Sequence, residues 1–326
     1  VLERAGVGSA GMKYIAVQAD HLASLNLQTD SSVLIAAELQ RRGFKVFWYH
    51  PRDLKWENGD LMATGYFVDA TYAKKLHDDI INLASAEVLL VRQNPPFDEA
   101  YLANTYMLET LPESCVVINH PKAIRDCSEK LSALHFPHLI PPTVVSANQQ
   151  DLMHFLQQYR EVVIKPLFGF GGMDVRHLNV ADIEVCNDVI QSYLMRFKTC
   201  IIQQYLPAIT REGDRRVFIV AGKILGGIKR RPTDGSILAG IAAGGEGSAL
   251  DTLTETEQNI ALEVAVWLHK KNIFMAGIDI IDGNLIEINV TSPTGFKLFN
   301  TLNPHLRAIE VHLVDEILKE KGDTWD

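Results

Sequence analysis

Short apolar runs alternate along the chain with longer stretches in which apolar residues recur at spacings of three and four, the pattern of strands joined by helices. "KYIAVQA" at 13–19 reads as a buried strand and "DSSVLIAAELQRRG" at 30–43 as a helix capped by Asp30 or Ser31 and stopped at Gly43. "KVFWYH" then supplies the next strand, and such a unit predicts a right-handed parallel crossover. "AEVLLVRQNPPFD" at 86–98 and "SCVVINHP" at 114–121 add strands of the same parallel type. Residues 12–124 are expected to form an N-terminal α/β domain built on a parallel sheet.

A different pattern begins near Arg125. "SEKLSALHF" looks helical, "IPPT" at 140–143 is stiff, and "DLMHFLQQY" is a further helix. "EVVIKPLFGFGGMDVRHL" at 161–178 predicts a strand, a glycine-rich turn and a return strand. After "CIIQQYLPAI", the stretch "RRVFIVAGKILGGIKRR" predicts an antiparallel hairpin and "TDGSILAGIAAGGEGSA" a long glycine-rich loop. "TETEQNIALEVAVWLHKKN" at 254–272, acidic early and basic late, predicts a helix. The expected division is 125–200 and 201–326, two units of mixed α and β structure.

Composition narrows the classes. With 326 residues, 47% of them hydrophobic and 22% charged, the chain can bury more than one core. A net charge of −9 argues against a general nucleic-acid or anionic-membrane binder, leaving room for a local basic pocket. No apolar run reaches the roughly 18 residues of a membrane span. Residues 1–11 lack the apolar centre of a secretory signal and read as a leader or remnant ahead of Met12. Cys115, Cys127, Cys186 and Cys200 show neither paired nor zinc-like spacing, so free thiols in a cytoplasmic setting are expected.

Candidate chemistry concentrates in "GIDIIDGNLIEINVTSPTG" at 277–295, where Asp279, Glu287 and Asn289 interrupt apolar strands. Glu287 and Asn289 share one strand face, about 7 Å apart. Asp279 joins them if the turn is the three-residue Asp282-Gly283-Asn284, which pairs it with Glu287; a two-residue Asp282-Gly283 turn would pair it with Ile286 on the other face. Three hard oxygen ligands on one face suit magnesium, with manganese as the alternative, completed by substrate phosphates. In "VVIKPLFGFGG", Lys165 leaves a strand just before Gly169, Gly171 and Gly172, which can surround phosphate oxygens with an ammonium and backbone N–H groups. The order of the nucleotide-binding P-loop is absent, and on turn chemistry alone an ordinary hairpin turn beside a half-exposed lysine is the simpler account of the glycines. Asp214, Arg215, Arg216, Lys229, Arg230 and Arg231 add a basic hairpin beside the glycine loops.

Taken in order, "RDCSEKL", "KPLFGFGG", "QQYLPAI", "GDRRVFIV", "AAGGEG" and "DIIDGNLIEINVTSPTG" resemble the prokaryotic glutathione synthetases of the ATP-grasp superfamily, as do "AAELQRRG" and "NPPFDEAY". The resemblance runs over nearly the whole chain from Met12 and is most specific at "EINVTSPTG". It implies an α/β substrate domain, a lid and a C-terminal catalytic unit with ATP between the last two. By matching position it puts Lys130, Lys165, Gly169, Gly171 and Gly172 at the ATP phosphates and Gln203, Gln204, Tyr205 and Leu206 at the adenine. Asp214 falls on the nucleotide side, Arg216 and Arg230 at the acyl group as catalytic residues, and Asp279, Glu287 and Asn289 at magnesium. The implied reaction joins γ-glutamylcysteine to glycine through an acyl phosphate in a homo-oligomer, dimer or tetramer.

Two positions depart from the family pattern. Ile237, Leu238, Ala239 and Gly240 stand where the family commonly has Thr-Arg-Gly-Asn, and Gln93 and Asn94 replace a charged pair before "PPFD". The ATP half is complete and the substrate half altered. A different acid or amine substrate, or a nucleotide-binding regulator without turnover, are the alternative readings.

Overall fold

The computed structural model describes residues 14–27, 29–233, 235–250, 252–320 and 322; the leader expected at 1–11 lies outside them. The first sheet holds β1 (Tyr14–Gln18), β2 (Lys45–Tyr49), β3 (Leu54–Glu57), β4 (Asp60–Asp69), β5 (Lys74–Asn82), β6 (Val88–Val91) and β7 (Val116–Ile118). Its parallel core runs β2-β1-β6-β7, as the apolar runs predict. Helix α1 (Ser31–Arg41) starts where Asp30 accepts hydrogen bonds from the Ser32 and Val33 N–H groups. It covers one face together with the C-terminal helix, while α2 (Glu99–Leu108) and α3 (Pro121–Asp126) lie on the other. The pattern predicts no element over 54–82, yet β3, β4 and β5 form an antiparallel extension there. The reason is exposure: β5 reads "KKLHDDIIN", and with most of the strand in solvent it needs no apolar period.

The second sheet, in the order β10-β9-β11-β8, is antiparallel: β8 (Thr143–Ser146), β9 (Glu161–Pro166), β10 (Arg176–Asn179) and β11 (Cys200–Gln204). Helices α4 (Gln149–Tyr159) and α5 (Ile183–Phe197) pack on it around Leu152, Leu156, Ile190 and Cys200. β11 carries this sheet past residue 200 to Gln204. The stretch around "SEKLSALHF" forms only a 3-10 turn at 131–135 where a helix was expected.

After the short α6 (Ala208–Glu212), the third sheet runs β14-β13-β12-β15-β16, built from β12 (Asp214–Val220), β13 (Lys223–Arg231), β14 (Glu246–Ala249), β15 (Met275–Ile281) and β16 (Asn284–Asn289). Helix α7 (Glu255–Lys270) covers one face; its Thr254 and Glu257 form a reciprocal capping box, matching the acidic start read from sequence. Helices α8 (Phe296–Leu302) and α9 (Ile309–Glu320) pack against Phe218 and, on their other side, against α1. No described helix is long and apolar enough to cross a membrane.

One buried amide ties the first sheet to the third. Asn119, 1% exposed, donates through Nδ2 to the Met275 and Val290 carbonyls and accepts at Oδ1 from the Phe274 and Met275 N–H groups. Asn119→Ala removes the side-chain partner of four backbone groups, so a loss of roughly 2–4 kcal/mol is expected. Denaturant unfolding should show it, and a change under 0.5 kcal/mol, the scale of an unremarkable surface substitution, would contradict this role.

Candidate active site

The strand pair β15–β16 decides where the carboxylates go. Its loop is the two-residue Asp282-Gly283, both with positive φ (47° and 66°), and Ile281 pairs with Asn284; the three-residue turn favoured for the cluster is not formed. The pairing that turn was meant to supply is nevertheless present. A bulge places Ile286 as an extra residue, so that Ile280 pairs with Leu285 and Asp279 with Glu287. The bulge corrects the register that the tight turn would otherwise impose, and Asp279 lies beside Glu287 and Asn289. Asn289 Nδ2 donates to Asp279 Oδ2 at 3.3 Å.

Neighbouring strands bring cations to these oxygens. Arg216 of β12 is the cross-strand partner of Asp279 and binds it through Nε (2.5 Å) and Nη2 (2.8 Å). Arg230 of β13 faces Asp214 in the same way (2.8 and 2.5 Å) and reaches Asp279 Oδ1 at 2.9 Å. Burial raises the Asp279 pKa, but Arg216 and Arg230 outweigh it and hold the carboxyl at about 2. Asp279 and Asp214 in turn push Arg230 above its ordinary value, against the opposing effect of burial. Four enclosed side chains are thus linked in one chain of contacts, Asp214–Arg230–Asp279–Arg216, in which burial raises the Asp214 carboxyl above its ordinary value.

Lysines close the other side. Lys130 ion-pairs with Glu287 at 3.0 Å and donates to the Gly169 carbonyl at the start of the glycine turn. Lys165, 6% exposed, donates to Gln203 Oε1 at 3.0 Å, and Gln203 donates onward to Thr143 Oγ1 at 2.8 Å. Burial lowers the Lys165 pKa to about 8 although Glu287 opposes the shift. A buried ammonium held by a single neutral acceptor has donors to spare for an anion. The turn that follows must be glycine at Gly169, where a Cβ would come 2.6 Å from the Pro166 ring, and at Gly172, whose φ is +78°.

The predicted residues therefore separate into two groups. Asp214, Arg216, Arg230, Asp279 and Asn289 are joined by hydrogen bonds and ion pairs, Glu287 pairs across the strands with Asp279 and holds Lys130, which reaches Gly169, and Lys165 and Gln203 form a separate pair alongside. Gln204 ends β11 and Tyr205 and Leu206 follow it; the Tyr205 ring lies tilted against His177 with centroids 4.1 Å apart, and its N–H donates to the Glu161 carbonyl. Gly171 and Gly172 lie at the tip of the turn, and Leu238 of the long loop packs onto Gly172.

Two residues escape a pattern reading. Glu129 accepts from Thr291 Oγ1 at 2.7 Å, and burial, with Glu287 nearby, raises its carboxyl pKa. Arg92 ends the apolar strand β6 and is 2% exposed; it donates to Ser32 Oγ and the Pro293 carbonyl, joining the N-terminal domain to "TSPTG". Burial lowers its pKa to about 10. The only sequence signal for Arg92 is a lone cation closing an apolar run, and for Glu129 its place beside Lys130.

The family profile described as prokaryotic glutathione synthetase, N-terminal domain, matches residues 12–125, and that for the ATP-grasp domain matches 129–304. The chain is 32% identical to the glutathione synthetase of Agrobacterium fabrum over 88% of this chain and 91% of the relative. It is 37% identical to that of Anaplasma centrale over 83% and 87%. A D-cycloserine synthetase crystal structure superposes with a TM-score of 0.68 at 16% identity, covering 94% of this chain and 99% of its own, which shows a shared fold. On these matches, the chain belongs to the prokaryotic glutathione synthetase family.

Proposed function

We propose that this chain joins γ-glutamylcysteine to glycine, using ATP to activate the cysteinyl carboxylate. The observation that carries the reading is the placing of Lys130 on Glu287 and of Arg216 and Arg230 on Asp279, beside Asn289 on one face of the β15–β16 pair. In the reaction the carboxylate takes the γ-phosphoryl group of ATP, releasing ADP; the glycine amine attacks the acyl carbon, and the C–O bond to phosphate breaks as the amide forms. Lys165 and Lys130 orient the phosphates. Arg216 and Arg230 hold the acyl carboxylate and the oxyanion that follows, each positioned by its contact with Asp279. The oxygen set of Asp279, Glu287 and Asn289 fits magnesium by donor chemistry, and such an ion would offset phosphate charge when bound. No nucleophilic serine or cysteine is needed.

Adenine recognition by Gln203 to Leu206 is part of the same proposal, as are a cytoplasmic location, supported by four buried cysteines that form no disulfide, and a homo-oligomeric state. ADP release measured with γ-glutamylcysteine alone, with glycine added, and with neither tests the reading. Release that needs both substrates supports it. Release only with another acid or amine replaces the substrates, and no release at all leaves a nucleotide binder.

The altered loop makes its own prediction. Leu238, where the family supplies arginine, covers Gly172, and a Cβ there would come 3.0 Å from its Cδ1. The two glycine-rich segments thus touch through an apolar contact in place of a cation. Leu238→Arg should raise kcat/KM for γ-glutamylcysteine roughly tenfold, since a charge-assisted contact contributes about 1.5 to 3 kcal/mol. Steady-state kinetics over several γ-glutamyl dipeptides check this; an already selective enzyme that gains nothing would remove meaning from the substitution.

A further inference from the structure

Away from the oxygen set, two imidazoles and a carboxylate converge at the carboxyl ends of the parallel strands β1 and β2. His50 directly follows β2, and the Ala19 N–H bonds the Tyr49 carbonyl, which carries the β1 pairing past Gln18 and brings His21 alongside. The two rings stack with centroids 4.5 Å apart and planes 17° from parallel. The carboxylate comes from the local chain. Pro51–Asp53 forms a 3-10 turn with His50 as its cap, and residues three apart in such a turn eclipse, so Asp53 falls beside the imidazole. One ligand atom from each of His21, His50 and Asp53 lies within 4.8 Å of the other two, and among the described residues no other three histidine, cysteine or acidic side chains do so.

These groups are in the state that a metal ligand needs. His50 Nδ1 accepts the Arg52 N–H at 3.2 Å, so that nitrogen carries a lone pair and no proton. The contact is long and in solvent, where water can replace it. Burial and the neighbouring His21 lower the His50 pKa against the opposing effect of Asp20 and Asp53, which keeps the ring neutral at neutral pH. Its other nitrogen, Nε2, is 4.0 Å from Asp20 Oδ1, the place of a carboxylate that orients a ligating histidine. His21 and Asp53 are exposed, so little packing opposes their closing to the separations of about 3.4 Å that bonds of about 2.1 Å in a tetrahedron require. Two imidazoles with one carboxylate favour a zinc-like cation over magnesium, which prefers oxygen, and three protein ligands leave a position open.

We propose that His21, His50 and Asp53 bind one divalent transition-metal ion of the zinc type. The site shares no residue with the oxygen set of Asp279, Glu287 and Asn289, and it uses none of the groups proposed for ligation. It is nevertheless joined to the active-site segment. Asp20, behind His50, accepts from Asn94 Nδ2 at 2.8 Å, and Asn94 Oδ1 accepts from Ser292 Oγ of "TSPTG" at 2.7 Å.

The test is calorimetric titration of the full chain with zinc, without a histidine tag and with magnesium in excess to occupy oxygen sites. One ion should bind per chain. His21→Gln and Asp53→Asn, both at exposed positions, should each weaken it by roughly a hundredfold, and Asp20→Asn, which leaves all three ligands in place, by roughly tenfold. Cobalt in place of zinc should give the strong visible absorption of a four-coordinate site in the wild type, and His21→Gln/Asp53→Asn should abolish it. Circular dichroism on each variant shows that the fold is kept. Failure to bind zinc under excess magnesium, an affinity unchanged in both ligand variants, or only the faint spectrum of cobalt among six oxygens overturns the proposal. None of these readouts depends on ligation taking place.

Discussion

Glu287→Gln should lower ligation by at least roughly a hundredfold while leaving the unfolding midpoint nearly unchanged. The two halves of that expectation come from different contacts. Glu287 is partly exposed, and its ion pair to Lys130 is not the lysine's only contact because the Gly169 carbonyl also holds the ammonium. Glutamine keeps the shape and removes only the charge that a metal or the phosphate-binding lysines would feel. Asp279→Asn should behave differently. Asp279 neutralises two buried guanidinium groups, so losing its charge should cost activity and also about 3 to 5 kcal/mol of stability. Turnover assays at varied magnesium with parallel denaturation measure both. Wild-type turnover in Glu287→Gln, or an activity loss that follows its stability, would refute the assignment.

Lys165→Ala should weaken ATP binding by roughly ten- to a hundredfold, the effect of removing one charge-assisted contact from an enclosed site. The lysine also gives the wild type a pH signature. With its pKa lowered to about 8 by burial, the free site holds an increasingly neutral amine above that pH, so binding phosphate must take up a proton. Apparent ATP affinity should therefore fall as pH rises through about 8, and calorimetry in buffers of different ionisation enthalpy should register the uptake. Folding stability moves the opposite way. Between about 8 and the ordinary 10.5 the unfolded chain binds more protons at this position than the folded one, so this contribution rises with pH. Lys165→Arg should keep a cation and flatten the affinity profile. A pH-independent affinity in the wild type, or full affinity in Lys165→Ala, would dismiss the phosphate contact.

Elements that obey local rules were legible in the sequence. The parallel core, α1 with its Asp30 cap and α7 with its capping box follow from periodicity and end residues. Asp279, Glu287 and Asn289 could be named, but not their register, because the bulge at Ile286 has no residue signature and changes the face by one step. The partners of the carboxylates were hidden for the same reason. Arg216 and Arg230 look like any basic strand until β12, β13 and β15 are aligned, and only then do they fall opposite Asp279 and Asp214. β5 gave no signal because its side chains meet solvent, and Glu129 and Arg92 because their meaning lies in contacts with residues 162 and 201 positions away.

The ion-pair chain across the cleft has an electrical consequence. Lys130, Lys165, Arg216 and Arg230 stand against Asp214, Asp279 and Glu287, so four positive groups are nearly cancelled by three negative ones before any nucleotide arrives. In a protein of net charge −9, such a cleft has little long-range attraction for a triphosphate. Capture should depend only weakly on ionic strength, and the nucleotide must bring its own counter-ions, which makes the metal complex of ATP, and not the bare polyanion, the species matched to this surface.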